Sequence, residues 1–240
     1  MIRLARPAQH NRLEPADVAA LTEMFEGLDR DERARVLVIT GDGKSFSSGF
    51  HIGALANDAK GDYDPNAFER MVDALENLSI PTIAALNGGV YGGATDLALA
   101  CDFRIGVEGM RMFMPAARLG IIYYESGLRR YVSRLGLNNA KRLFMTAQPA
   151  EAEEMLAMGY LDEIVAKDQL AERVDALAAE LGANAPIALA GMKQALNRLS
   201  HGTFDSDDHG AFRARAATSE DHQEGLRAWA EKRPPVFGGS

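Results

Sequence analysis

Four glycines fall within residues 88–93, between an extended run at 80–85 and a small-residue stretch at 94–101 that favours a helix. Glycine has no Cβ, so such a segment turns sharply and lets a ligand approach its backbone closely. The backbone N–H groups at the start of the following helix would face developing negative charge. A second segment, rich in serine and glycine, covers residues 45–51 after a β-branched run at 35–40. The chain is therefore predicted to have a mixed α/β fold in which strands run into small-residue loops.

The secondary-structure pattern changes along the chain, with strands predicted mainly in the first half and helices in the second. Further strands are predicted by the extended runs at 103–107, 112–114 and 161–165. Amphipathic helices are predicted to begin at residues 14 and 64 and to cover 168–181, 186–199 and 218–231. We expect a core domain over residues 1–184 and a C-terminal helical region over 185–240, which packs on the body or on a neighbouring subunit.

The composition of the chain argues against several classes of function. Hydrophobic residues make up 47% of the 240 residues, enough for the core of one domain. The chain carries 34 acidic against 26 basic residues and a net charge of −8, with no basic stripe, which disfavours nucleic-acid binding. No apolar run approaches the roughly 20 residues of a membrane-spanning helix, and the start lacks a signal-peptide pattern, so we expect a cytoplasmic protein with no membrane partner. Cys101 is the only cysteine and the histidines show no HExxH spacing, so no metal site is expected.

Three common motifs fail on single positions. A phosphate-binding GxxxxGK[ST] loop at Gly43-Lys44-Ser45 would need glycine where Val38 stands, and a GxGxxG fingerprint from Gly88 would need glycine at Val90. No serine satisfies the GxSxG pattern of a serine hydrolase. The two small-residue segments remain, and they have two interpretations: together they form an oxyanion hole, or both are tight turns.

Motifs in order along nearly the whole chain resemble those of the crotonase superfamily, also known as the enoyl-CoA hydratase/isomerase family. They are Arg6-Pro7, Gly43-Lys44-Ser45-Phe46, Ser48-Gly49-Phe50-His51-Ile52, Asn87-Gly88, Gly92-Gly93-Ala94-Thr95-Asp96-Leu97, Cys101-Asp102 and Glu231-Lys232-Arg233-Pro234-Pro235. The resemblance implies a crotonase-like spiral of ββα units, followed by a C-terminal helical trimerisation region and assembly into a homotrimer or a hexamer. It implies an acyl-CoA substrate and no separate cofactor, since coenzyme A enters as part of the thioester. Family members usually have another strand before the segment that matches Arg6-Pro7, so the short start Met1-Ile2-Arg3-Leu4 implies either that this strand is lost or that the start is truncated.

The resemblance also assigns site residues. The oxyanion hole would use the backbone N–H groups of Phe50 and Gly93. Substrate-binding positions would be Arg12, Ser48, His51, Ile52, Gly92, Leu119, Gly120 and Tyr124. The alternative for His51 is a loop-bracing or solvent-facing role. The phosphates of coenzyme A would contact Arg12 or the C-terminal Lys232 and Arg233. The alternative for each of these residues is that it is a solvated surface charge with no role in binding.

The resemblance leaves three candidates for the catalytic residues. The family's hydratases use two glutamates, and here Asp96 takes the first position while Ala116 takes the second. Asp96, Tyr123 and Glu125 are therefore the candidate catalytic residues. Asp96 has helix capping as its alternative role, and Glu125 has a surface or capping role ahead of the helix at residue 127.

The resemblance favours an acyl-CoA enzyme that stabilises a thioester enolate and is isomerase-like rather than an efficient two-glutamate hydratase. The enzymatic alternative is a decarboxylase of the methylmalonyl-CoA type, which suits Ala116 and Tyr123. The alternative from another class is a catalytically silent acyl-CoA-binding homologue.

Overall fold

Two β-sheets organise the computed structural model, which describes residues 1–31, 33–51, 53 and 64–240. A five-stranded sheet, parallel throughout, has the order β1 (Ile2–Leu4), β2 (Leu37–Gly41), β4 (Thr82–Leu86), β6 (Phe103–Val107) and β9 (Glu163–Val165). A four-stranded sheet has the order β3 (Ser45–Ser47), β5 (Gly89–Tyr91), β7 (Arg111–Phe113) and β8 (Ala150–Glu151). Its β3, β5 and β7 run parallel, whereas β8 pairs antiparallel to β7.

From β2 to β7, successive strands alternate between the two sheets. β2 of the large sheet leads into β3 of the small one, β4 leads into β5, and β6 leads into β7. Each turn of the chain thus adds one strand to each sheet, and a helix follows β5 directly. Every residue of β2 and β4 is buried, which explains why these runs are apolar without polar alternation. The predicted α/β spiral of ββα units is confirmed.

Helices cover the outside of the spiral and form its C-terminal part. They are α1 (Pro15–Asp29), α2 (Ala67–Glu76), α3 (Gly93–Ala100), α4 (Glu125–Leu135), α5 (Leu137–Lys141), α6 (Ala152–Ala157), α7 (Leu170–Gly182), α8 (Pro186–His201), α9 (Ser206–Ala217) and α10 (Glu220–Glu231). α1 packs against α2, and α7 packs on β4 and β6. Short turns of 3₁₀-helix lie at Pro7–Gln9 and Ala116–Leu119, and a π-helical turn at Arg142–Thr146.

The structure differs from the sequence prediction mainly in its short elements. The glycine segment at 88–93 is not one uninterrupted loop, because β5 occupies its middle, and β3 lies within the predicted loop that begins at residue 45. Ile2–Leu4 forms an edge strand that pairs with Ile39–Gly41 of β2. Strands of three residues are too short to show a periodicity, and they form because a neighbouring strand supplies their hydrogen bonds.

The C-terminal helices are tied to the spiral through α8, which packs against α4 and α9. Lys193 Nζ lies 2.8 Å from Asp102 Oδ2, and Asn197 donates a hydrogen bond of 3.1 Å to the Glu76 carbonyl. Large apolar side chains on these helices remain exposed: Met192, Leu196, Leu199, Leu226 and Trp229. The proposed division near residue 184 stays a prediction. None of the helices within the described ranges is long and apolar enough to cross a membrane.

Candidate active site

An apolar cavity of about 350 Å³ lies where the two small-residue segments meet the end of the small sheet. Its walls come from five parts of the chain: the segment after β3, helix α2, the β5–α3 connection, the stretch after β7 and the stretch before α4. The residues that line it include Ser48, Phe50, Phe68, Glu69, Tyr91, Gly92, Gly93, Met114, Pro115, Ala116, Leu119, Ile121, Ile122, Tyr123 and Tyr124. A mostly apolar wall with a few polar groups is typical of a small-molecule site.

The two small-residue segments pass each other in direct backbone contact. Gly49 has φ +85°, and a Cβ there would lie 2.6 Å from the Tyr91 carbonyl oxygen and 2.9 Å from the Gly93 nitrogen. The backbone on either side of Phe50 is fixed to Leu13, which donates from its N–H to the Gly49 carbonyl and accepts from the His51 N–H, each at 2.9 Å. Glycine at position 49 is therefore required both for its backbone conformation and for the close approach.

Gly93 is the first residue of α3, a position whose N–H has no acceptor within its own helix. The ring of Phe68 covers it, since a Cβ on Gly93 would lie 2.7 Å from Phe68 Cζ. Phe50 and Gly93 both line the cavity. The structure thus brings the two predicted oxyanion-hole residues to one cavity wall, with an aromatic ring against the backbone of one of them.

Asp96 lies behind this wall rather than in it. Its side chain is 0% exposed, and the residue is not among those that line the cavity. Its Oδ2 atom accepts a hydrogen bond of 2.5 Å from the Tyr124 hydroxyl and one of 2.8 Å from Arg130 Nη1. Burial raises the pKa of Asp96, while the charge of Arg130 and the Tyr124 hydrogen bond oppose that shift.

The guanidinium group of Arg130 forms ion pairs with three carboxylates behind the cavity. Arg130 is 0% exposed and lies 2.8 Å from Asp96, 2.7 Å from Asp73 and 3.1 Å from Glu76, using a different nitrogen for each. Arg134 lies 3.4 Å from the same Glu76 oxygen. Since a buried charge is costly unless it is paired, these contacts hold α2, α3 and α4 together at the base of the cavity.

Tyr123 and Tyr124 form the floor between the cavity and Asp96. Their rings stack with centroids 4.3 Å apart, and the Tyr123 hydroxyl donates to the Tyr124 hydroxyl at 3.2 Å. Burial, reinforced by the charge of Asp96, raises the pKa of both hydroxyls well above the ordinary value. Both tyrosines therefore stay protonated at neutral pH. Tyr124 also lies beside Phe68, with a ring separation of 6.3 Å.

The side chain of Glu125 points to solvent rather than toward Asp96. Its side chain is 83% exposed and pairs with Arg129 one helical turn along α4, at 2.5 Å. It begins that helix and does not line the cavity. The structure thus separates Glu125 from Asp96 and Tyr123, the other two candidate catalytic residues.

The predicted substrate-binding residues divide into two groups. Ser48, Gly92, Leu119 and Tyr124 line the cavity together with Ala116, which has no carboxylate to offer. Gly120 ends the 3₁₀ turn at 116–119 with φ +69°.

Arg12 and His51 instead meet at Glu14. Arg12 Nη2 lies 2.6 Å and His51 Nδ1 lies 2.7 Å from its carboxylate oxygens. Of the C-terminal candidates, Arg233 already pairs with Glu224 and Glu231. Ile52 lies outside the described residues.

The sequence analysis singled out neither Arg130 nor Phe68 as a residue of the site. A signal existed for Arg130, because Gly127, Arg130, Tyr131 and Leu135 share the helical spacing of the buried face of α4. No such signal existed for the position of Phe68 over Gly93, which depends on how α2 meets α3. In the ranges that the structure describes, no three His, Cys, Asp or Glu side chains converge to hold a metal ion.

Comparisons with known proteins agree with this architecture. A sequence model of the family described as enoyl-CoA hydratase/isomerase matches residues 1–240. The carnitinyl-CoA dehydratase of Salmonella heidelberg (strain SL476) is 33% identical, over 99% of this chain and 94% of that protein. The enoyl-CoA hydratase/carnithine racemase of Magnetospirillum magneticum superposes with a TM-score of 0.91 at 26% identity, covering 99% of this chain and 91% of that one. An enoyl-CoA hydratase of Bacillus anthracis superposes with a TM-score of 0.87 at 29% identity, covering 99% of this chain and 95% of that one.

Proposed function

This chain belongs to the enoyl-CoA hydratase/isomerase family, and we propose that it processes an acyl-CoA thioester through an enolate held by the backbone N–H groups of Phe50 and Gly93. It is an enzyme of the lyase or isomerase class that acts on CoA thioesters. Coenzyme A would enter as part of the substrate, with no separate cofactor.

The observation that carries the proposal is the backbone contact at Gly49. The two segments pass so closely that a single Cβ would lie 2.9 Å from the Gly93 nitrogen, and Phe50 and Gly93 line the same cavity. Two preorganised backbone donors stabilise an oxyanion most effectively in an apolar, water-poor site. This arrangement supports the oxyanion hole over the alternative of two unrelated turns.

Ala116 and Asp96 favour an isomerase-like reaction over efficient hydration. Ala116 lines the cavity but carries no acid or base, and Asp96 is buried behind Tyr124. Hydration needs one group to orient water and another to protonate carbon. A reaction that returns one proton to a different carbon needs a single such group.

A second candidate is a dehydratase of the carnitinyl-CoA kind. Phe50, Phe68 and Tyr124 give the cavity aromatic walls, and the acidic residue Glu69 also lines it. Aromatic faces and a carboxylate attract a quaternary ammonium group. Turnover of carnitinyl-CoA that is lost in Glu69→Gln, with retained turnover of an uncharged acyl-CoA, would support this assignment.

The decarboxylase alternative has less support. No lysine or arginine of the described ranges lines the cavity, so no cation there would neutralise the carboxylate of a malonyl-type substrate. Incubation with methylmalonyl-CoA tests this alternative, since release of carbon dioxide would establish decarboxylation.

We also propose that the C-terminal helices mediate assembly into a homotrimer or a hexamer. The exposed side chains of Met192, Leu196, Leu199 and Trp229 support an interface, because apolar groups of this size are normally covered.

The direct test is exchange of the α-proton of a saturated acyl-CoA in D₂O, followed by mass spectrometry. An enolate-forming enzyme incorporates deuterium at the α-carbon. A catalytically silent acyl-CoA-binding homologue binds the thioester and leaves its mass unchanged.

A further inference from the structure

We propose that the hydroxyl of Tyr124, rather than the carboxylate of Asp96, is the group that exchanges a proton with the substrate, and that Asp96 acts through Tyr124 as its buried partner. This inference rests on the proposed enolate chemistry and identifies the side chain that carries the proton.

Access to the cavity distinguishes the two residues. Tyr124 lines the cavity, whereas Asp96 is 0% exposed and does not line it. Tyr124 connects the cavity to Asp96, because the residue lines the cavity and its hydroxyl donates a hydrogen bond to Asp96 Oδ2 at 2.5 Å. A proton that passes between the substrate and Asp96 by this route has to cross the Tyr124 oxygen.

The hydrogen bonds of Tyr124 leave one site for the substrate. A phenol offers one O–H donor and two acceptor positions. The donor is directed to Asp96, and one acceptor position receives the Tyr123 hydroxyl at 3.2 Å. The remaining acceptor position on the Tyr124 oxygen is the one available to a C–H group of a bound acyl chain.

Asp96 is arranged to take up the proton that Tyr124 passes on. Its Oδ1 atom is buried without a hydrogen-bond partner in the described structure. Its cation, Arg130, is shared with Asp73 and Glu76, so the charge on Asp96 is only partly balanced. A carboxylate in this position accepts a proton more readily than one with its own counterion.

The step is a relay of two proton transfers. The C–H bond at the α-carbon breaks, and its proton forms a new bond to the Tyr124 oxygen. The original Tyr124 proton moves to Asp96 Oδ2. The electron pair left on carbon delocalises onto the thioester oxygen, which the N–H groups of Phe50 and Gly93 stabilise. The reverse relay returns a proton to the same or another carbon, so no external reactant is needed.

The decisive variant is Tyr124→Phe, which removes the hydroxyl and keeps the aromatic wall. We expect α-proton exchange to fall by about 10² to 10⁴, the usual contribution of a positioned acid/base group, with the KM for the acyl-CoA nearly unchanged. Glu125→Gln is the matched control, because it alters the next residue of the same segment at the surface and should exchange like the wild type. Tyr123→Phe leaves the contact between Tyr124 and Asp96 in place. Its rate of α-proton exchange should therefore fall by about tenfold or less.

Asp96→Asn tests the partner role through the pH profile. Wild-type exchange should decline as falling pH protonates Asp96, whereas the residual exchange of Asp96→Asn should lack that acidic limb. Circular dichroism and acyl-CoA binding establish that each variant is folded.

The outcomes separate the inference from the function it rests on. No exchange by the wild type with any acyl-CoA would overturn the proposed function. Wild-type exchange that persists in folded Tyr124→Phe and disappears in Asp96→Asn would overturn the relay, because Asp96 would then reach the substrate directly. Exchange retained in both variants would equally overturn it.

Discussion

Arg130 Nη1 lies 2.8 Å from Asp96 Oδ2, and neither side chain has any exposed surface. The pair joins α3, which begins at Gly93 of the proposed oxyanion hole, to α4, which begins one residue after Tyr124. The stability of the fold and the geometry of the site therefore depend on the same guanidinium group.

Arg130→Met should be strongly destabilising, because it leaves Asp96 buried without its cation and removes one of the cations beside the buried Glu76. We expect the free energy of unfolding to fall by about 3 to 5 kcal/mol, measured by urea denaturation. Arg129→Met is the matched control: its side chain is 39% exposed and pairs only at the surface, so its cost should be about 0 to 1 kcal/mol. Equal effects of the two variants would contradict the role assigned to Arg130.

Gly49→Ala should impair catalysis because it displaces the backbone around Gly93. Its Cβ would lie 2.6 Å from the Tyr91 carbonyl and 2.9 Å from the Gly93 nitrogen, so the two segments that carry the proposed oxyanion hole must separate. We expect kcat to fall by about 10² to 10³, the usual cost of losing one oxyanion donor. Gly109→Ala controls for backbone strain, since it has φ +69° with nothing within 4 Å of the added Cβ. Activity in that variant should match the wild type.

Asp96 should make the stability of the protein depend on pH. Burial raises its pKa above the ordinary 3.8, so between 3.8 and the raised value the folded chain binds more protons than the unfolded chain. The free energy of unfolding should therefore contain a stabilising contribution that is fully present below pH 3.8 and is lost as pH rises through this window. Asp96→Asn lacks this titration, and its stability relative to the wild type should rise with pH. A difference that stays constant in urea denaturation across the window would contradict the assignment.

Hydration of crotonyl-CoA should be slow or undetectable, because Ala116 has no group to orient or protonate water. The loss of absorbance of the enoyl thioester measures this rate. Ala116→Glu places a carboxyl in the cavity wall and should increase it. Hydration by the wild type at the rate of an efficient enzyme would show that another residue replaces the second glutamate.

Trp229 reports on assembly, since it is the only tryptophan and its side chain is 87% exposed in the single chain. If α10 lies in a subunit interface, its fluorescence emission should be blue-shifted in the assembled protein and should shift to longer wavelength on dilution. Trp229→Ser should lower the assembled fraction in sedimentation experiments. A monomer at all concentrations, with fluorescence typical of a solvated indole, would exclude this interface.

Buried β-branched runs, amphipathic helices and two glycine-rich segments are local patterns, and they predicted a mixed α/β fold in which strands run into small-residue loops. The spiral of ββα units and the pairing of Phe50 with Gly93 were implied by the resemblance to the crotonase superfamily, since local patterns do not specify how distant segments meet. The three-residue strands β3 and β5 escaped prediction, because each depends on hydrogen bonds from a neighbouring strand.

The tertiary structure decided which side chains meet. Asp96, Tyr123 and Glu125 were equivalent candidates in the sequence, yet the orientation of α4 directs Glu125 to solvent and brings Arg130 to Asp96. These two residues are 34 positions apart, and helical periodicity indicates which face of a helix is buried without identifying the group that the face will contact. The placement of Tyr124 between Asp96 and the cavity likewise follows only from the packing of α2, α3 and α4 around one buried guanidinium.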